Sequence, residues 1–183
     1  VGAALFLFLG TGSSVVAGAP KSNLNKKIIA AARTRLGDQY SAEYFSSGRP
    51  PKGRSACVDV LIEACRVAGF DPQKDIQMTA ATTHYPWMRD SAIDHRWAPN
   101  LIVWFQLRQQ SLPIGAKYKP GDIVFWNLTG DGVADHCGVL GDQKGSSGKW
   151  KVIHQFPPRC TEEDCLGRWR VVGHFRLRPK AKG

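Results

Sequence analysis

The chain has 183 residues, 43% of them apolar and 22% charged, with a formal net charge of +10. These figures exclude a disordered or fibrous chain and leave room for one globular domain around one sizeable core. The positive balance either aids solubility alone or points to a polyanionic partner. There is no run of five or six Lys/Arg and no nucleic-acid motif, so no nucleic acid is expected, and acidic lipid headgroups or an acidic cell wall rank ahead of it.

The opening "VGAALFLFLGTGSSVVAGAP" carries no charge until after residue 20. A short apolar block followed by small residues reads as the tail of a secretory signal over 1–19, with the cut best placed after Ala17. A membrane anchor is the rival, but the Gly/Thr/Ser stretch at 10–14 interrupts a spanning helix. Export would place the remaining single domain, 20–183, in a periplasmic or extracellular setting, without stable membrane insertion once the signal is removed.

Next, "SNLNKKIIAAARTRLG" predicts a helix capped by Ser22 or Asn23 and stopped by Gly37. Its apolar face would hold Leu24, Ile28, Ala32 and Leu36. Residues 38–56, rich in Ser, Pro and Gly, read as a loop that carries Tyr40 and Tyr44. A buried helix is predicted from Cys57 to Gly69, with Asp59, Glu63 and Arg66 on its one wet edge. Asp71 and Pro72 look like the cap and first residue of a third helix. "IDHRWAPN" reads as a loop, and Pro99 opens an apolar helix running through Gln110. From Pro120 onward "GDIVFWNL", "HCGVLGDQ", "KWKVIHQF" and "RWRVVGHFRLR" predict four strands. Helices first and antiparallel strands afterwards make an α+β order. "RLRPKAKG" reads as a frayed basic tail.

The five cysteines are Cys57, Cys65, Cys137, Cys160 and Cys165, so at least one is unpaired within the monomer. "CTEEDC" is a plausible local disulfide loop between Cys160 and Cys165. Cys57 stands at a helix N-terminus, where unpaired N–H groups favour a thiolate. Cys65 lies two turns inside and reads as core. A nucleophilic thiol needs an imidazole and a group to orient it. His136 opens a strand and is the candidate base; alternation sends Cys137 to the opposite face, into the core. His154 lies on the next strand, within reach of His136. Each of these residues alone is more often structural; the ordered set Cys, His, His carries the information.

The order of elements and the motifs "ACVDVLIEA", "IDHRWAPNL", "LP", "YKPGDIVFW", "HCGVL" and "VIHQF", with Tyr40 and Tyr44 ahead of them, resemble the NlpC-type cell-wall cysteine peptidases of the papain-like superfamily. Within it the chain is most similar to an uncharacterised bacterial branch, domain-of-unknown-function family 1287, over about residues 25–177. The resemblance implies a papain-like/NlpC-like α+β fold, with N-terminal helices packed on a C-terminal antiparallel sheet. It also implies a catalytic set of Cys57, His136 and His154, with no metal and no cofactor. The chain departs from better-studied relatives, which have Asp-Cys-Ser-Gly where Ala56-Cys57-Val58-Asp59 stand here. The branch usually has Thr at position 58 and often Ile where Cys137 stands.

Supporting roles are less specific. The Cys57 N–H is a natural oxyanion donor, with Tyr40 or Tyr44 as a second donor or as loop packing. Asp59 would satisfy the helix start. Arg96 would bind a substrate carboxylate or, with Asp94 and His95, lock a loop. His84 and His174 read as structural. The leading expectation is an exported thiol amidase or peptidase acting on peptidoglycan stem peptides. Two rivals are a non-catalytic cell-wall or ligand-binding module and a metal site built from Cys57, His136 and His154.

Overall fold

The computed structural model describes residues 21–181, so the segment assigned to a signal lies outside the described residues. Helix α1 spans Lys21–Arg33. It begins one residue ahead of the predicted cap and ends one turn early. Ile28 and Ala32 are buried as expected, but Leu36 follows the helix and is 41% exposed. Two-residue strands β1 (Gln39–Tyr40) and β2 (Arg54–Ser55) punctuate the predicted loop. Helix α2 spans Cys57–Val67 and stops at Gly69, whose φ of +90° suits glycine. Helix α3 is Pro72–Thr79, and Asp71 caps it by accepting from the Lys74 N–H. A 3₁₀ turn, Asp94–Arg96, occupies the predicted loop ahead of α4 (Ala98–Arg108).

The two-residue strand β3 (Gln110–Ser111) leads into β4 (Asp122–Asn127), β5 (His136–Lys144), β6 (Trp150–Phe156), β7 (Arg159–Glu163) and β8 (Arg170–Arg176). Four of these match the predicted strands. Strand β7 does not: its acidic "RCTEE" carries no strand-like alternation and overlaps the predicted loop between Cys160 and Cys165. The sheet order is β2-β1-β7-β6-β5-β4-β8-β3, and all neighbours but β1 and β2 run antiparallel.

Alternation along the central strands makes two cores. One face, with Ile123, Phe125, Cys137, Val139, Ile153 and Cys160, packs under α1, α2 and α4 against Ile28, Leu61, Cys65, Trp104 and Phe105. The other face holds Val124, Trp126, Leu140, Val152 and Cys165 under Leu166, Trp150 and Trp169. Every residue of β4 is buried, as befits a strand covered on both sides. The same division overturns the disulfide expectation. Cys160 belongs to the helix-covered core and Cys165 to the opposite one, and all five cysteines are free thiols.

The described part of the tail, as far as Lys180, is anchored where fraying was expected. Leu177 is buried, and the Lys180 N–H donates to the Ala68 carbonyl at 2.8 Å. Among the described residues no helix is long and apolar enough to cross a membrane.

Candidate active site

Helix α2 brings Cys57 to the site. Its first turn follows directly on β2, and the Ala56 N–H is satisfied by the Asp59 carboxylate at 2.7 Å. Asp59 thus serves the helix start, as expected, and is buried rather than on a wet edge. Its remaining charge is met by Arg96, whose Nε and Nη2 reach the two carboxylate oxygens at 3.2 and 3.0 Å. The side chains of this pair are 7% and 3% exposed.

Arg96 also donates to the Glu43 and Ser41 carbonyls. With its guanidinium engaged by protein, it locks the 41–43 loop to α2, the second of its two expected roles, and it also lines the cleft over Cys57. Neighbours in the same motif act likewise. Asp94 accepts from the Arg89 and Asp90 N–H groups, and His95 Nε2 meets the Gly48 carbonyl at 3.0 Å.

Strand β5 supplies His136 at its first position. The ring stacks on Trp126 and meets Trp169 and Phe156 edge-on, which holds it in one orientation. Its Nε2 lies 2.8 Å from His154 Nδ1, leaving Nδ1 as its other functional nitrogen. The third residue of "HCG" explains itself here. A Cβ on Gly138 would lie 3.1 Å from His154 Cβ and 2.6 Å from a Val152 methyl, so glycine is what lets the His154 side chain occupy this place.

Cys137 faces the helix-covered core, as alternation requires. It also touches the nucleophile, which sequence reasoning missed. The start of α2 lies over the start of β5, and Cys57 meets both Cys137 and His136 there. Hydrogen bonding from the Cys137 thiol, and then the hydrogen bond and charge of His136, hold the Cys57 thiol well below its ordinary value, against the opposing effects of burial and Asp59. Cys137 moves the other way, pushed up by burial and by Cys57. It therefore stays protonated and donates to the Cys57 thiolate. Burial also raises Cys65, and pushes Cys160 and Cys165 up to about 12. Among the described thiols, Cys57 alone is held below its ordinary value, the condition that favours a thiolate.

Cys57 opens onto a cleft of about 270 Å³ lined by Tyr40, Tyr44, Trp87, Ile93 and Trp97. Tyr44 donates to Asp90 at 3.2 Å; Tyr40 is 45% exposed at the cleft wall. Trp87 and Trp97, edge to face at 5.3 Å, were not singled out in the sequence, where nothing sets them apart from other tryptophans. Two roomier hollows elsewhere, of about 470 and 700 Å³, are lined by no thiol or imidazole.

Behind His154 lie two more groups. Its Nε2 is 3.0 Å from Glu163 Oε1 and 3.4 Å from Cys165 Sγ. His154, Glu163 and Cys165 are the close-set donors that could hold a metal ion among the described residues, a different set from the Cys57, His136 and His154 of the rival metal reading. The same Glu163 oxygen already pairs with Arg168 at 3.1 Å, a charge that an incoming cation would have to displace. His174 is buried and structural, bound to Asp122 at 2.9 Å.

Comparison with known proteins agrees with this architecture. The family model described as "Domain of unknown function (DUF1287)" matches residues 26–177. The Escherichia coli (strain K12) protein called "Uncharacterized protein YijF" is 37% identical over 172 residues, covering 85% of this chain and 83% of that one. Among solved structures, NlpC1 of Trichomonas vaginalis matches 88% of this chain and 46% of its own, with TM-score 0.52 and 16% identity. A Staphylococcus aureus subsp. aureus Mu50 protein described as similar to lipoprotein, NLP/P60 family, matches 91% and 45%, with TM-score 0.50 and 14% identity. NlpC2 of Trichomonas vaginalis matches 89% and 49%, with TM-score 0.51 and 16% identity. The chain thus spans less than half the length of these structures and shares their papain-like α+β fold.

Proposed function

We propose that this chain, which belongs to the DUF1287 family, is an exported cysteine hydrolase that cleaves an amide in bacterial peptidoglycan stem peptides or a closely related acyl bond. One observation carries the reading. A thiol with a lowered pKa stands at a helix start beside His136, whose far nitrogen is held by His154. The aromatic cleft over Cys57 suits a peptide, and the net charge of +10 attracts the carboxylates of stem peptides. The description of one structural neighbour as lipoprotein-like supports export.

In this reading the Cys57 thiolate attacks the carbonyl carbon, and the electron pair of the C=O bond moves onto oxygen. The backbone N–H of Cys57, at the unpaired start of α2, stabilises that oxyanion. Collapse breaks the C–N bond while His136 gives its proton to the leaving amine. His136 then takes a proton from water, which attacks the thioester, releases the carboxylic acid and restores the thiolate. The test compares wild type with Cys57→Ala on purified peptidoglycan, the fragments being read by mass spectrometry. Fragment release by wild type and none above background by the variant is expected. Equal release by both would overturn the thiol mechanism, and none by either would favour a non-catalytic wall-binding module.

A further inference from the structure

The strongest unassigned contact in the molecule lies behind the site, at Glu163. Its Oε1 is 3.0 Å from His154 Nε2. An ionised carboxylate only accepts hydrogen bonds, so Nε2 must carry the proton. His154 is fully buried, and burial followed by the nearby His136 holds its pKa down to about 4, so its ring is neutral. A neutral imidazole with Nε2–H has a bare Nδ1. That Nδ1 faces His136 Nε2 at 2.8 Å, so His136 must carry its own proton on Nε2. The nitrogen of His136 then left free to exchange a proton with Cys57 is Nδ1. Polarity runs through both rings from a single carboxylate.

From this geometry we infer that Glu163 is a positioning residue of the site, fixing the tautomers of His154 and His136 so that His136 Nδ1 is the working base. The inference rests on the thiol-hydrolase reading of Cys57 and His136 and adds a fourth member to it. Strand β7 makes it possible: His154 pairs with Thr161, and Glu163 lies two residues on, diagonally across the same face. Glu162 points to the other face, where both carboxylate oxygens meet Arg33 at 2.8 Å. Arg168 holds the Glu163 oxygen in place at 3.1 Å.

A competing signal sits beside it. Cys165 Sγ is 3.4 Å from the same Nε2, and its thiol, with a pKa near 12, is protonated. A thiol donating to Nε2 would put the His154 proton on Nδ1, force His136 Nε2 to accept, and leave His136 Nδ1 protonated and useless as a base. The carboxylate wins because it is the stronger partner and the closer one. Without it, the thiol remains as the neighbour of Nε2 and reverses the chain.

The experiment reads tautomers directly, by ¹⁵N NMR of the histidine rings in wild type, Glu163→Ala, Glu163→Gln and Glu162→Gln, alongside the pH profile of Cys57 alkylation by iodoacetamide. Wild type should show His154 protonated on Nε2. Glu163→Ala should move that proton to Nδ1, shift the alkylation profile to higher pH, and lower kcat on peptidoglycan about 10- to 100-fold with KM little changed. Glu163→Gln keeps an accepting oxygen and should retain the wild-type tautomer; Glu162→Gln should leave every readout as in wild type. Unchanged tautomer and alkylation profile in Glu163→Ala would overturn the inference. Neither of these readouts uses substrate, so the expected NMR result with a wild type inert on peptidoglycan would reject the hydrolase and keep the relay.

Discussion

The sheet carries two networks of buried histidine, carboxylate and arginine, and only one adjoins a nucleophile. At one end His154 meets Glu163, which pairs with Arg168. At the other His174 meets Asp122, which pairs with Arg176 at 2.7 Å. In the second network the other nitrogen, His174 Nδ1, has no hydrogen-bond partner among the described residues, and the ring lies on Tyr118. In the first the corresponding Nδ1 is handed to a second imidazole that faces a thiol. A histidine paired with a carboxylate is thus a structural rivet until its other nitrogen has something to act on. The difference between rivet and relay is His136.

The largest effect that should separate the two networks is on stability. Asp122→Ala strips a fully buried carboxylate from both His174 and Arg176, and should cost about 3–5 kcal/mol in denaturant unfolding. Alkylation of Cys57 in the folded variant should be unchanged; a shift as large as that of Glu163→Ala would make the His174 network part of the relay.

A second effect is pH-dependent and belongs to the relay end. Burial, and then the charge of His136, lower the His154 pKa to about 4, with Glu163 opposing and Arg168 reinforcing the shift. A base with a lowered folded pKa leaves the unfolded chain to take up the proton first. Stability should therefore fall as pH drops from about 6.5 to about 4, by on the order of 3 kcal/mol. Urea unfolding across that range checks it, and His154→Asn should flatten the slope.

The smallest effect tests the thiol next door. Cys137→Val removes the hydrogen bond that does most to lower the Cys57 pKa. The alkylation profile should move to higher pH, and the rate at pH 6 should fall about fivefold, the equivalent of a weak thiol donor contributing about 1 kcal/mol. An unchanged profile would assign the lowering to His136 alone.

Much of the relay end was legible in the sequence because it follows period and position. Cys57 at a helix start, His136 at a strand start and His154 one strand on are all read from alternation and caps. "PGD" was legible as a motif but not as what it is here: its Asp122 anchors the structural network rather than the chemistry. Glu163 was hidden because β7 was hidden, its short acidic run between two cysteines having the look of a loop. Strands β1, β2 and β3 are two residues each and carry no pattern to read. The contact of Cys137 with Cys57 depends on how α2 crosses β5, a tertiary fact that no local periodicity encodes.

The aromatic cage around His136 has an optical consequence. The ring stacks on buried Trp126, 5.6 Å between centroids, and abuts Trp169 at 5.3 Å. A protonated imidazole held against an excited indole draws charge from it and quenches its emission, whereas a neutral ring does so far less. The ionisation of the base is therefore written into the protein's own fluorescence, a signal that can be followed in real time without substrate, label or turnover.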